Sequence, residues 1–232
     1  MVDLYKKLKV SSVTIRKDLK YLEEKKLLYR THGGATQTNP YATDLPVNEK
    51  EKINSSEKLR IGAAASGLIG ANDSIILASG TTIQAFARSI QGKENLTVIT
   101  SSLNVAIELI ATPGVEVLQL GGLVRKSSSS VIGSYAENIL KNFFCNMLFL
   151  GVDGIDIEYG LTTTNSMEAN LNREMMAISQ KIIVLADSTK FGKRGFGKIC
   201  NIDEVDHIIT DSQVSDHVVN TLESSGVTVT IV

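Results

Sequence analysis

Several stretches of the 232-residue chain carry residue types suited to holding an anion or a sugar. The first, Ser79-Gly80-Thr81-Thr82, follows an apolar run at 74–78 and precedes a helical pattern. Backbone N–H groups, a flexible glycine and hydroxyls at the start of a helix form a cradle for a phosphate group. An ordinary capped helix start has the same composition, so this stretch alone does not decide between the two.

Three further stretches also follow apolar runs, and they offer glycines, cations and carboxylates: Gly121, Gly122, Arg125, Asp153, Asp156 and Lys190. The guanidinium of Arg125 and the ammonium of Lys190 are suited to a phosphate, and carboxylates can accept hydrogen bonds from sugar hydroxyls. Taken singly, each acid is more often a turn former or a helix cap. Because ligands bind at the carboxyl ends of strands in open α/β sheets, the four stretches together predict one rim that holds a phosphorylated polyol.

The elements that must position these residues are apolar, β-branched runs that alternate with helical patterns. The predicted strands lie at 74–78, 96–100, 115–120, 147–151, 181–186, 207–210 and 227–231. Such alternation predicts an α/β fold, with a mainly parallel sheet covered by helices on both faces. The polar stretch at 37–56 contains Pro40 and Pro46 and has no apolar period, so it is predicted to be a linker.

The positive charge of the chain is concentrated near its N-terminus. Residues 1–32 hold nine Lys/Arg and four Asp/Glu, whereas the whole chain has a formal net charge of −1. A basic head on an acidic body is the pattern expected of a DNA-contacting module joined to a domain with another role. A solvated amphipathic surface helix has the same charge pattern, so both interpretations remain open on charge alone.

The residues of this head repeat with helical spacing. Ile15, Leu19 and Leu22 recur within 12–24, and Ser11 precedes them as an N-cap. The short connection before Ser11 permits a helix-turn-helix, in which the start of the second helix contacts DNA. The outward residues of that helix start, with two from the following strand and turn, are the candidate DNA contacts: Ser11, Ser12, Val13, Thr14, Arg16, Lys17, Arg30 and His32.

The segment 2–35 closely resembles the DNA-binding signature of the DeoR family of bacterial regulators. The resemblance is carried by Val10-Ser-Ser-Val-Thr-Ile-Arg-Lys-Asp-Leu and by Arg30-Thr-His-Gly-Gly-Ala. It implies a winged helix-turn-helix at 1–36 that binds operator DNA. Family members usually carry a further helix before the segment that begins here at Met1, so we expect this chain to bind operator DNA weakly or not at all unless that helix is supplied.

The body of the chain, over 58–232, resembles the sensor domain of the same family. The motifs that carry this resemblance are Ser79-Gly-Thr-Thr, Gly121-Gly-x-x-Arg125, Gly151-x-Asp-Gly-x-Asp156 and Asp187-Ser-Thr-Lys-Phe191. The resemblance implies that 57–232 is an effector domain whose fold resembles ribose-5-phosphate isomerase. It further implies a transcriptional repressor of a carbohydrate-utilisation operon that responds to a sugar phosphate.

Three stretches narrow the resemblance to a subgroup. Residues 146–153, 168–173 and 191–196 most resemble the repressors of N-acetylgalactosamine and galactitol utilisation. This implies an effector from the galactosamine, galactitol or tagatose branch. An oligomer of identical subunits is the further expectation, because operators of such repressors are symmetric.

Two alternatives to a repressor follow from the residues. The isomerase pattern places a lysine nine residues before an Arg-Glu pair; the chain keeps Arg173 and Glu174 but has Asn165 at the lysine position. Without that cation Glu174 lacks an electrophilic partner, so we expect no enzyme activity. The other alternative is a regulator that does not bind DNA itself and acts through mixed oligomers.

The composition argues against several further classes of protein, namely disulfide-rich, metal-binding, membrane and secreted proteins. Cys145 and Cys200 are too few for a disulfide framework, and the three histidines are scattered, so we expect no metal and no cofactor. The longest weakly polar run, at 61–71, is too short to cross a membrane, and residues 1–10 are charged where a signal peptide would be apolar. We therefore expect a cytoplasmic protein with no membrane partner.

Overall fold

A computed structural model of the chain describes residues 7–8, 10–25, 27–31, 34–36 and 41–232. The chain divides into two compact units, Met1–Ala42 and Thr43–Val232.

The first unit contains helix α1 (Ser12–Glu24) followed by strands β1 (Tyr29–Thr31) and β2 (Gly34–Thr36), which pair antiparallel. The helix begins where predicted because the Ser11 hydroxyl accepts a hydrogen bond from the Thr14 amide at 3.1 Å. Ile15 and Leu19 are buried, as their spacing predicts. A helix followed by a two-stranded wing is the arrangement expected of the predicted winged module.

The second unit is built on a parallel sheet. Among the described residues seven strands form it: β3 (Ser74–Leu77), β4 (Leu96–Thr100), β5 (Val115–Gln119), β8 (Cys145–Leu150), β11 (Ser179–Leu185), β13 (His207–Thr210) and β14 (Thr228–Ile231). Their order across the sheet is β14-β13-β11-β8-β3-β4-β5. Each corresponds to a predicted strand to within two residues at either end, and the predicted mainly parallel α/β fold is confirmed.

Both faces of this sheet are buried, which is why its strands are almost continuously apolar. Consecutive residues of one strand belong to opposite cores: Leu148 and Leu150 pack in one, whereas Phe149 packs in the other. The helices Ser55–Ser66, Thr81–Ser89 and Leu103–Leu109 supply the core that contains Phe149, and the helices Ser134–Leu140, Ser166–Ala177 and Asp216–Ser224 supply the opposite one. The predicted covering of both faces is therefore confirmed.

The helices of this unit have the bounds α2 (Val47–Lys52), α3 (Ser55–Ser66), α4 (Thr81–Ser89), α5 (Leu103–Leu109), α6 (Ser134–Leu140), α7 (Ser166–Ala177) and α8 (Asp216–Ser224). Within the described parts of the chain, no helix is long and apolar enough to cross a membrane. Two short 3₁₀ turns occupy Ser188–Lys190 and Ile202–Glu204.

Short antiparallel strands, which the sequence pattern does not predict, extend from the ends of the main sheet. Strands β6 (Leu123–Arg125) and β7 (Ser130–Ile132) form a hairpin after β5. Strands β9 (Gly154–Asp156), β10 (Gly160–Thr163) and β12 (Gly197–Cys200) form a small sheet after β8. Runs of three or four residues are too short to display a period of two, so they escape a search for alternation.

The interval 37–56 differs from the predicted linker. Residues from 43 onward belong to the second unit, and Val47–Lys52 forms α2. None of the six residues of α2 is buried, so the helix leaves no apolar signature. Its end is held instead by the buried Lys58 of α3, whose ammonium donates hydrogen bonds to the carbonyl oxygens of Lys50 and Ile53.

We predict that Gly62→Ala destabilises the protein. In an isolated helix alanine is favoured over glycine by about 1 kcal/mol. In α3, however, a Cβ at position 62 would lie 2.7 Å from the Phe86 amide nitrogen of α4. The helices must therefore separate, and we expect the free energy of unfolding to fall by about 1–3 kcal/mol in urea titrations followed by circular dichroism. Gly121→Ala, where nothing lies within 4 Å, is the control; a stabilised Gly62→Ala would contradict the close packing.

We also predict a stability increase at alkaline pH that depends on Lys58. Burial lowers the pKa of Lys58 from 10.5 to about 8, against the opposing effect of Asp187. Between these two values the unfolded chain holds a proton that the folded protein has released, so the free energy of unfolding rises with pH across this window. Urea titrations from pH 7.5 to 10.5 should show this rise relative to Lys58→Met, with the exposed Lys181→Met as the control. Parallel curves for wild type and Lys58→Met would contradict it.

Candidate functional site

A polar pocket opens at the carboxyl ends of β3 and β8. About 530 Å³ of space lies within it when the solvent in its opening is counted. Seven of the predicted effector-binding residues line it: Ser79, Gly80, Thr81, Thr82, Arg125, Asp153 and Lys190. Eight lining residues were not predicted: Val47, Lys50, Ser127, Ser128, Gly151, Val152, Thr163 and Glu168.

The start of α4 supplies backbone donors to this pocket. The chain leaves β3, passes Gly80 at φ 121° and enters the helix at Thr81. Because the N-cap is a glycine, no N-cap side chain occupies the first-turn N–H groups, and the helix dipole favours an anion there. A Cβ on Gly151 would lie 2.8 Å from the carbonyl oxygen of Ser79, so glycine is required where β3 and β8 end side by side.

Arg125, at the end of β6, brings a nearly buried guanidinium to the pocket. Its Nη1 lies 3.3 Å from Glu168 Oε2, and its Nη2 lies 2.7 Å from Asp44 Oδ2. Two carboxylates therefore hold one guanidinium in a fixed orientation.

Glu168, in the first turn of α7, is a buried carboxyl group that the sequence did not single out. It accepts a hydrogen bond from the Ser79 hydroxyl at 2.5 Å, and the Thr163 hydroxyl, 3.3 Å away, shares its one proton between Glu168 and Asp153. Burial raises the pKa of Glu168, with a further increase from Asp153, and the effects of Ser79 and Arg125 do not offset this. The sequence signal that could have pointed to Glu168 is its place in 168–173, a stretch that resembles the subgroup of the family.

Asp153 stays ionised despite its burial. Burial acts to raise its pKa, but Lys50, whose Nζ lies 2.8 Å from Asp153 Oδ1, and Lys190 together lower it. The Thr163 hydroxyl at 3.0 Å and the Thr164 amide at 3.1 Å donate to the other oxygen. A carboxylate with these fixed donors presents a defined acceptor surface to a ligand hydroxyl.

Lys190 closes the pocket from the 3₁₀ turn after β11. Burial lowers the pKa of Lys190, and Lys50 and Lys193 act in the same direction, whereas Asp153 and Asp187 oppose them. Asp187 caps the turn by accepting from the Thr189 amide at 3.1 Å, and it also accepts from the Asn54 side chain at 3.0 Å. The turn is thus fixed to the loop between α2 and α3.

The pocket lining, as far as the structure describes it, does not include Gly121, Gly122 or Asp156. Asp156 accepts from the Tyr159 amide at 2.9 Å and pairs with Arg194 at 2.8 Å, which makes it a turn former. Gly122 has φ 149°, and a Cβ there would approach Val131 Cγ1 to 2.9 Å. The glycine therefore serves the close packing of the β6–β7 hairpin.

The described pocket lining also lacks the residues at the three positions of the isomerase pattern, Asn165, Arg173 and Glu174. Asn165 is the N-cap of α7 and accepts from the Glu168 amide at 3.0 Å. Arg173 donates to the Asn170 side chain and to the carbonyl oxygen of Lys198. Arg173 and Glu174 are thus absent from the described lining of the pocket that would hold a substrate.

In the first unit, the start of α1 presents the predicted DNA contacts. Ser12, Val13, Thr14, Arg16 and Lys17 are exposed, because Ile15 and Leu19 take the buried face. Ser11 is engaged as the N-cap. Arg30, on β1, lies 3.8 Å from Glu23 and remains half-exposed. His32 lies outside the described residues.

Comparison with solved structures finds a likeness to ribose 5-phosphate isomerase A from Methanocaldococcus jannaschii. It has a TM-score of 0.43 and 16% sequence identity, and it covers 60% of this chain and 55% of that one.

Sequence relatives cover nearly the whole chain. The putative aga operon transcriptional repressor of Escherichia coli O157:H7 is 39% identical over 226 residues, which are 96% of this chain and 84% of the relative. The HTH-type transcriptional regulator GolR of Listeria innocua is 33% identical over 229 residues, which are 99% of this chain and 90% of the relative.

Family models match both parts of the chain. The DeoR-like helix-turn-helix domain matches residues 2–40, and the DeoR C terminal sensor domain matches residues 53–212. The protein therefore belongs to the DeoR family of transcriptional regulators.

Proposed function

We propose that the protein binds operator DNA through the start of α1 and represses a carbohydrate-utilisation operon. A sugar phosphate, bound in the pocket at the carboxyl ends of β3 and β8, modulates this repression. The pocket binds its ligand without converting it. Repressors act on symmetric operators, so the working form is an oligomer of identical subunits.

The observation that carries the proposal is the composition of the pocket. Lys50, Arg125 and Lys190 line it together with the start of α4, so four sources of positive potential converge on one cavity. A dianionic phosphate matches this potential, whereas a neutral sugar does not. Asp153 and Glu168 line the same cavity, where they suit the hydroxyls of the sugar.

The positions of the cations suggest how the ligand lies. The phosphate group fits the first turn of α4, where its oxygens reach the N–H groups of Thr81 and Thr82. Arg125 and Lys190 are the side-chain cations of this phosphate subsite. The remainder of the ligand then extends towards Asp153, whose carboxylate the threonines at 163 and 164 already orient.

The relatives support the same function. Both named relatives are transcriptional regulators, and one is a putative repressor of the aga operon. Together with the resemblance of residues 146–153 and 168–173, this favours a ligand from the galactosamine, galactitol or tagatose branch. A binding role is consistent with the absence of Arg173 and Glu174 from the described pocket lining.

We predict selective stabilisation of the protein by a phosphorylated sugar. A ligand at a hundred times its Kd should add about 2.7 kcal/mol to the free energy of unfolding, which a thermal-shift screen detects readily. Galactosamine 6-phosphate and tagatose 6-phosphate are compared with their unphosphorylated sugars. Lys190→Ala should weaken binding about 10- to 100-fold by removing a charged donor, whereas Lys193→Ala, outside the lining, should not. Equal stabilisation by unphosphorylated sugars would contradict the phosphate subsite.

We further predict that Arg16 and Lys17 contribute to DNA binding. Arg16→Ala and Lys17→Ala should each lower the affinity for duplex DNA, and each lost phosphate contact should reduce the slope of log K against log salt concentration by about 1. Fluorescence anisotropy with a labelled duplex at several salt concentrations measures both quantities. Lys181→Ala removes an exposed lysine from the second unit and is the charge control. The same decrease for all three variants would exclude a specific role for α1.

A further inference from the structure

The first residues of the second unit contact the pocket directly. The chain reaches this segment, residues 43–53, immediately after the first unit ends at Ala42. Asp44 pairs with Arg125 at 2.7 Å, and Lys50 pairs with Asp153 at 2.8 Å. Between them, the Val47 amide donates to the carbonyl oxygen of Ser127 at 2.7 Å. The connection to the DNA-binding unit is therefore tied to residues that line the proposed ligand site.

The two carboxylates on Arg125 are not equivalent. The Glu168 side chain is 11% exposed and receives additional hydrogen bonds from Ser79 and Thr163. The Asp44 side chain is 44% exposed, and its further hydrogen bonds come from the neutral hydroxyls of Ser127 and Thr164. Solvent already screens the Asp44 pair, so its carboxylate is the easier one for an incoming anion to replace.

The other end of the segment is fixed more firmly. Lys58 donates hydrogen bonds to the carbonyl oxygens of Lys50 and Ile53, and Asn54 donates to the buried Asp187. Lys50 is itself a pocket cation, so an anionic ligand attracts it rather than displacing it. A ligand phosphate thus acts in opposite directions on the two charged residues of the segment, Asp44 and Lys50.

We propose that Asp44 is an internal competitor of the ligand phosphate for Arg125, and that its displacement frees residues 43–49 while Lys50 stays in place. This inference rests on the proposed function of the pocket. The ligand removes one tie between the sensor unit and the chain that leads to the DNA-binding unit. Occupancy of the pocket is thereby converted into a change in the connection between the two units.

The first test is ligand affinity. In Asp44→Asn the competing charge is gone, so binding of the probes, inorganic phosphate and tagatose 6-phosphate, should tighten about two- to fivefold by isothermal titration calorimetry. Glu49→Gln is the matched control, because it removes one exposed acid from the same segment and Glu49 does not line the pocket as described. Its affinity for both probes should equal that of wild type.

The second test is amide hydrogen exchange of residues 43–49. In the wild type, ligand should accelerate exchange there, most of all at the Val47 amide, while exchange at 54–60 stays unchanged or slows. In Asp44→Asn exchange of 43–49 should be fast before ligand is added and should change little afterwards. This pattern separates release of the segment from a general loss of charge, which would affect Glu49→Gln equally.

The outcomes separate this proposal from the function on which it rests. If wild type binds tagatose 6-phosphate but Asp44→Asn binds no more tightly than Glu49→Gln, the competition is overturned and the pocket assignment stands. Slower exchange of 43–49 on ligand binding would also overturn the release. If neither probe binds the wild type, the ligand assignment and the competition both fail.

Discussion

The reversal of strand order between β3 and β8 is the constraint on which the rest of the structure depends. From β3 the sheet continues through β4 and β5 in one direction, and from β8 it continues through β11, β13 and β14 in the other. The chain leaving β3 enters α4 on one face, whereas α7 covers the opposite face. A crevice must open where these connections diverge, and ligands of open α/β sheets bind in such crevices. Both α4 and α7 contribute their first turns to the pocket, with Thr81 and Glu168.

The charges in this crevice are arranged so that few are left without a counter-charge. A buried charge without a partner is costly, and here Lys50 pairs with Asp153 while Arg125 pairs with Glu168 and Asp44. A ligand must therefore offer Arg125 and Lys190 at least as much negative charge as it displaces. A phosphate monoester meets this condition, whereas a hydroxyl group offers only a neutral acceptor. On the proposed function, the exchange of charges, more than shape, distinguishes a phosphorylated sugar from its parent sugar.

The sequence predicted the sheet and much of the pocket because both rest on strong local signals. The β-branched runs are long enough to recognise, and Gly80, Arg125 and Lys190 each follow the end of such a run or its extension. Lys50 and Glu168 were missed because their positions depend on tertiary folding: α2 has no apolar face, and Glu168 looks like an ordinary acid in a first helical turn. Asp156 is the opposite case, a predicted ligand-binding residue that does not line the pocket. A carboxylate after a strand also suits a turn, and here it accepts a hydrogen bond from the Tyr159 amide.

The location of the connecting segment bears on how a regulator of this build can respond to a ligand. A ligand shifts an equilibrium only through its different affinity for two arrangements, so some contact must exist in one and be lost in the other. In the described part of the second unit, we propose that the Asp44–Arg125 pair is such a contact, because it joins the entry of the unit to a cation of the pocket. Linkage then works in both directions. If the DNA-bound arrangement of the protein holds Asp44 against Arg125, the ligand lowers the affinity for DNA by some factor. Binding of DNA must then lower the affinity for the ligand by the same factor. On this proposal, coupling requires the exchange of one ion pair at the entry of the sensor and no movement of its core.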